Sequence, residues 1–167
     1  MRVLGIDPGM KNTGIAVLDL LPGDIAEFVA STTVVDLSTA RTFHAVSDFL
    51  IKHEVEEIAM LVFQTSLRSR DGRPVVWASS SLTQRTIGAM EVLASLSRLN
   101  LAYYDETEVK EGLGGSKTAS KDKVATYVKL AMGWKESPPA TTHEMDAVAA
   151  CLYHQRMLGF GRKLTGG

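Results

Sequence analysis

The hydrophobic positions change rhythm along the chain. Residues 1–6 are too apolar to be solvated, and Pro8 and Gly9 then end a strand, since proline cannot extend a sheet ladder and glycine permits backbone shapes closed to other residues. Residues 13–18 read as a second strand and residues 25–35, rich in Val, Thr, Ala and Phe, as a third, giving an antiparallel meander. The period then lengthens. Ala40, Phe43, Val46, Phe49 and Leu50 recur at spacings of three and four behind Ser38 or Thr39 as a cap, which predicts a helix. The run Ile58-Ala59-Met60-Leu61-Val62-Phe63 is continuous, as in a strand covered on both faces, and it ends at Gln64.

Residues 65–76 are polar and arginine-rich, contain Gly72 and Pro74, and read as an exposed loop of a length that commonly carries function. Ser79, Ser80 or Ser81 can begin the next helix, with Ile87, Met90, Leu93, Ala94 and Leu96 as its apolar stripe. Leu101-Ala102-Tyr103-Tyr104 predicts a short strand and residues 112–116 a glycine-rich loop. Residues 120–132 and 143–158 predict two helices on either side of the breaker Ser137-Pro138-Pro139. Three strands, helix, strand, helix, strand and two helices imply an α/β fold, a five-stranded mixed sheet flanked by helices on both faces. A single domain is expected over residues 1–158, followed by a flexible, glycine-rich and basic C-terminal tail at residues 159–167.

With 167 residues, 45% of them hydrophobic, the chain can bury one core and has room for one active site. No stretch approaches the roughly 18 apolar residues of a membrane span, and the first residues form a strand instead of a basic and apolar leader, so a cytoplasmic protein is expected. Its single cysteine, Cys151, lies in an apolar helical run and reads as a small buried hydrophobe in a reducing compartment. The net charge of −1 hides a division. Residues 1–60 carry nine acidic and four basic side chains, and residues 61–167 ten acidic and fourteen basic. Arg68, Arg70, Arg73 and Arg85 cluster in one stretch, and Lys110, Lys117, Lys121, Lys123 and Lys129 in another. Such runs suit a phosphate backbone or simply a solvated face.

Asp7 lies at the mouth of the first hairpin, where a carboxylate can hold a metal or a phosphate or cap its own turn. Hairpins of this kind open both metal-dependent nucleases of the ribonuclease H type and kinases of the actin type. A second acidic cluster, His143-Glu144-Met145-Asp146-Ala147-Val148, begins a helix after a proline break. Residues three apart share a helix face, so His143 and Asp146 can point at one spot while Met145, Val148 and Ala149 pack inward. Joined to Asp7, they could bracket divalent ions that polarise a phosphodiester and activate water.

With these motifs in this order, the chain resembles a RuvC-type Holliday junction resolvase of the ribonuclease H superfamily over nearly its whole length. Four segments carry the resemblance: Gly5-Ile6-Asp7-Pro8-Gly9 with Thr13-Gly14; the strand ending at Val62-Phe63-Gln64; Val109-Lys110 through Gly114, Ala119, Lys121 and Val124; and His143-x-x-Asp146-Ala147. The third is a pattern that actin-type kinases lack. Leu82-Thr83-Gln84-Arg85 with Gly88 also resembles the helix that mediates dimerisation in that family.

The resemblance implies a ribonuclease H-like fold and a homodimeric endonuclease that resolves four-way DNA junctions by paired nicks, using two Mg2+ or Mn2+ ions per site. Asp7, Gln64, His143 and Asp146 would be its catalytic and metal-binding set. The family places a glutamate at the end of the fourth strand, where this chain has Gln64, a neutral and weaker ligand for a hard cation. Glu56 and Glu57 would lie near the opposite end of that strand, while Asp105, ending the neighbouring strand, is a conceivable replacement. An impaired nuclease is implied, with a non-cleaving junction-binding protein as the alternative; a slipped alignment with the ligand elsewhere is the other reading of Gln64. His143 stands where many members have aspartate, and an imidazole favours manganese over magnesium. Arg68, Arg70, Arg73, Lys110, Lys117 and Lys121 are the candidate DNA contacts, with Trp77 a candidate for base stacking and Phe63 reading as core. A branch-migration helicase partner is an expectation of the family alone.

Overall fold

The computed structural model describes residues 1–9, 11–23, 25–35, 38–62, 65–68, 74–77, 81–113, 115–135 and 141–165, with side chains described at all of these except 65–68, 74–77, 81–82 and 160–165. The strands are β1 (Arg2–Pro8), β2 (Asn12–Leu21), β3 (Ile25–Val35), β4 (Glu57–Val62), β5 (Thr65–Arg68), β6 (Pro74–Trp77) and β7 (Asn100–Asp105). The helices are α1 (Thr39–Lys52), α2 (Ser81–Ser97), α3 (Glu106–Gly112), α4 (Lys121–Ala131) and α5 (Thr142–Thr165). Five strands form one sheet in the order β3-β2-β1-β4-β7, and β5 and β6 pair separately. β1, β2 and β3 are antiparallel, whereas β4 and β7 continue parallel to β1, which makes the mixed sheet that the apolar runs predict.

Successive side chains of a strand point to opposite faces. Leu4, Ile6, Ile58 and Met60 therefore turn to one side, where they meet Val46 and Leu50 of α1 and Met90, Leu93 and Ala94 of α2. Val3, Ala59 and Leu61 turn to the other, against Val124 and Val128 of α4 and Ala147, Val148 and Cys151 of α5. Both faces are covered, so the central strands show no polar alternation. Cys151 is fully buried, as expected of a small hydrophobe, and its thiol lies 3.7 Å from the Val3 carbonyl. Among the described residues, no helix is long and apolar enough to cross a membrane.

α5 reaches the sheet at backbone distance. A Cβ on Gly5 of β1 would fall 2.0 Å from the Ala147 carbonyl oxygen, and one on Gly14 of β2 would fall 2.0 Å from the His143 carbonyl oxygen. Only glycine leaves room for the helix there.

Four features depart from the expectations. Within residues 65–76, expected as a loop, β5 and β6 form a hairpin with Ser66 opposite Val76 and Leu67 opposite Val75; pairing satisfies backbone groups that a loop would leave to water. α3 is an additional helix, started by a capping box in which Asp105 accepts from the Thr107 amide and Glu108 accepts from the Asp105 amide, an Asp-x-x-Glu signal present in the sequence. α5 does not end at Leu158 but runs to Thr165, so residues 159–165 are helical backbone; glycine costs about 1 kcal/mol in a helix, which an established helix can absorb by adding one hydrogen bond per residue. Leu96 is 74% exposed, because it stands two positions past Ala94 and so on the opposite side of α2.

Replacing Gly14 with alanine is expected to lower the unfolding free energy by about 3 kcal/mol in urea denaturation, as a methyl group must displace the backbone of α5. Gly88→Ala, where nothing lies within 4 Å of the added Cβ, is expected to raise it by about 1 kcal/mol instead. Equal effects at the two positions would show that α5 is not seated on the strand backbone.

Candidate active site

Asp7 follows Val3 and Gly5 at intervals of two along β1, so its side chain turns to the α5 face. It is only 3% exposed. Its partner across the β1–β2 ladder is Gly14, the residue that admits the first turn of α5. The turn beyond Asp7 is closed by the Gly9 amide, which donates to the Asn12 carbonyl at 3.1 Å. Held between these two constraints, His143 donates from Nδ1 to Asp7 Oδ2 at 2.7 Å.

The start of α5 has its own anchor. Thr141 accepts from the Glu144 amide at 3.2 Å, capping the helix. The Glu144 carboxylate, 6% exposed, accepts from Thr33 Oγ1 at 2.8 Å and from Ser31 Oγ, both on β3. One residue of the first turn is thus tied to β3 while its neighbour His143 meets Asp7. Glu144 is a residue that the sequence reading passed over, although Thr141-x-x-Glu144 has the spacing of a capping box.

Asp146, one turn beyond His143, completes the cluster. Lys121, the first residue of α4, sets its ammonium 3.5 Å from Asp146 Oδ2. Burial, followed by the charge of Asp7, pushes the Asp146 carboxyl up to about 6, with Glu106 adding to the rise and Lys121 opposing it. His143 is raised above its ordinary value chiefly by the hydrogen bond to Asp7, against burial and the charge of Lys121. Glu106, also absent from the expected set, follows the end of β7 and pairs with Lys110 at 2.6 Å.

The structure therefore brings Asp7, His143, Asp146 and Lys121 together. Gln64, Phe63, Arg70 and Arg73 lie outside the described residues, as do the side chains of Arg68 and Trp77. Asp105 caps α3, with Oδ1 accepting from the Thr107 amide at 2.8 Å, so the conceivable replacement for a missing glutamate is engaged elsewhere. Lys117 pairs with Glu111 at 3.5 Å on the surface.

A pair of divalent ions needs several anionic oxygens. Here the described donors are two carboxylates and one imidazole; Asp7 already accepts from His143, and an ammonium partly neutralises Asp146. Among the described residues, no three His, Cys, Asp or Glu side chains form a group that could hold a metal ion. This donor set does not fit two ions.

The family model for the crossover junction endodeoxyribonuclease RuvC matches residues 3–154. The chain belongs to the RuvC family. RuvC of Saccharopolyspora erythraea is 31% identical over 170 aligned positions, covering 95% of this chain and 80% of that protein. RuvC of Paenarthrobacter aurescens is 29% identical over 175 aligned positions, covering 100% of this chain and 87% of that protein. Among solved structures, the Thermus thermophilus RuvC in complex with a Holliday junction substrate matches with a TM-score of 0.77 at 25% identity, covering 96% of this chain and 97% of that one. The mixed sheet with its five helices is thus the RuvC form of the ribonuclease H-like α/β fold.

In this RuvC-family fold, the acidic cluster lies at the carboxyl end of the central strand, and its burial should govern the pH dependence of stability. Asp146 holds its proton to about pH 6 in the folded protein and only to about 3.8 when unfolded, so its stabilising effect is complete below the unfolded value and is lost as pH rises through 6. His143 acts in the same direction, contributing most below its ordinary value and losing its effect as pH rises through its raised one. Asp146→Asn is expected to be more stable than the parent at pH 8, by on the order of 2 kcal/mol, and to flatten the dependence at mildly acid pH. Thermal unfolding across this range checks it; a variant less stable than the parent at pH 8 would mean that pairing with Lys121 outweighs burial.

Proposed function

We propose that the protein recognises four-way DNA junctions as a homodimer and nicks them slowly or not at all in magnesium. The observation that carries this reading is the Asp7–His143–Asp146 cluster, assembled at the strand end, short of anionic oxygens among the described residues and next to Lys121. Membership of the RuvC family supplies the substrate class, and a relative solved with a Holliday junction supplies the precedent. The two-ion chemistry that the resemblance implies is not carried over to this donor set.

In this reading Lys110, Lys117 and Lys121 hold phosphates together with Arg68, Arg70 and Arg73, and Trp77 stacks on an opened base. The present partner of Lys117 is exposed, and such a pair is worth about 0–1 kcal/mol, so exchanging it for a phosphate costs little. Lys121 is itself half exposed beside the acidic cluster, where a scissile phosphate would have to lie.

The dimer is supported by the outer side of α2. Gly88, Val92 and Leu96 recur every four residues and so share one stripe; Val92 is 55% and Leu96 74% exposed, and open space lies above Gly88. A two-fold dimer pairing these stripes would present two sites to a two-fold junction.

Titration of a synthetic four-way junction against linear duplex, in magnesium and in manganese, tests the proposal. The expected result is junction binding at least about tenfold tighter than duplex, weakening steeply with salt, with little cleavage. Equal affinity for duplex would overturn the recognition, and rapid paired nicking in magnesium would overturn the impairment. Gly88→Leu is expected to sediment lighter than the parent; a parent that is monomeric at micromolar concentration would overturn the dimer.

A further inference from the structure

Among the described residues the acidic cluster is short of an anionic oxygen, and the sheet register shows a place from which one could come. β1 and β4 run parallel with Gly5 opposite Ala59 and Ile6 opposite Met60. One step further along both strands sets Leu61 beside Asp7. Neighbouring strands lie about 4.8 Å apart, so side chains on the same face at this step stand next to each other. Leu61 is on that face, since it packs with Val3, Ala59, Ala147 and Val148 in the core beneath α5, and it is 2% exposed.

The neighbouring positions of β4 do not serve. Met60 turns to the α1 and α2 side. Alternation sends Val62 the same way, and Ala59 stands one full pleat back, beside Gly5. Gln64 lies outside the described residues, two positions past Val62, the last residue of β4, so the described register sets Leu61 and not Gln64 beside Asp7. Other acids near the cluster are occupied: Asp105 caps α3, and Glu106 pairs with Lys110.

We infer that Leu61, and not Gln64, is the residue that leaves this site short of a divalent-cation ligand: an apolar side chain fills the place beside Asp7, on the face of His143 and Asp146, where a carboxylate would complete the donor set. The alignment that pairs Gln64 with the family's glutamate is then slipped by three residues. The inference rests on the reading of the site as a weakened junction nuclease. It also accounts for the direct bond between Asp7 and His143, since among the described residues no third anion competes for the space between them.

Four variants test it: Leu61→Glu, Leu61→Asp, Leu61→Gln and Gln64→Glu. Mn2+ binding is measured by the loss of the free-ion paramagnetic signal, and folding by thermal unfolding with and without Mn2+. Leu61→Glu is expected to bind Mn2+ at least about tenfold more tightly than the parent and to melt higher when the ion is added, because an ion bound only by the folded state stabilises it. Leu61→Gln, which matches glutamate in size without its charge, and Gln64→Glu should behave as the parent does. A gain in Gln64→Glu with none at position 61 overturns the inference. Because a buried carboxylate can prevent folding in the absence of the ion, the shorter Leu61→Asp is the second route; failure of both acidic variants to fold even with Mn2+ also overturns it. Junction binding by the parent in metal-free buffer is scored separately. Its loss would count against the junction reading and leave the role of Leu61 standing.

Discussion

At Gly5 and Gly14 the backbone of α5 lies against the backbone of β1 and β2, with carbonyl oxygens of Ala147 and His143 in the space that a Cβ would need. Helices usually meet a sheet through their side chains, at a distance set by the larger of them. Here the spacer is absent, and a helix this close carries its first turn past the end of β1. That depth is what lets His143 reach Asp7 at 2.7 Å and brings Asp146 within the field of the same carboxylate. Glu144 then holds the angle of entry, because its buried carboxylate is tied to Ser31 and Thr33 of β3.

The start and the middle of α5 handle buried charge differently. Near its middle, His154 donates from Nε2 to Glu57 at 2.7 Å and accepts from the Tyr104 hydroxyl at 2.6 Å, so a buried imidazole has a partner at both nitrogens. Burial and the nearby Tyr153 and Glu57 push the Tyr104 hydroxyl up to about 12, which keeps it a donor at neutral pH. A network satisfied in this way makes the core specific. At the helix start the balance is incomplete: Asp146 is buried beside Asp7, its carboxyl is displaced upward, and an ammonium from α4 meets it only at 3.5 Å. Sites that bind or react tend to carry such unresolved cost, since a group already satisfied within the protein has little to offer a ligand.

Basic side chains follow the same logic. Lys110, Lys117 and Lys121 each have an acidic neighbour; the Lys110–Glu106 pair is largely withdrawn from solvent, whereas the exposed ammonium groups of Lys117 and Lys121 hold theirs at 3.5 Å and are more readily exchanged. An overall charge close to zero is therefore compatible with a local surface that takes phosphates, because the ammonium groups of Lys117 and Lys121 are exposed while the carboxylates of Asp7 and Asp146 are largely buried.

The apolar runs alone determined the strands β1 to β4 and β7 and most of α1, α2, α4 and α5, because side-chain period is a local property written in consecutive residues. The same text marked Asp7 at a strand end and His143 with Asp146 on one helix face, and these three do meet. It did not reveal the β5–β6 hairpin, whose two four-residue strands are too short to carry a period that outweighs Gly72 and Pro74. Nor did it show that Glu144 is buried, since this depends on Ser31 and Thr33, more than a hundred residues away in the chain. Lys121 was legible as a cation and not as the neighbour of Asp146, for the same reason. Above all, the residue that stands beside Asp7 in β4 is a matter of register between two strands some fifty residues apart. A continuous apolar run does not show which of its residues stands beside a given neighbour, and only the paired sheet, with α5 resting on its glycines, decides which side chain faces the site.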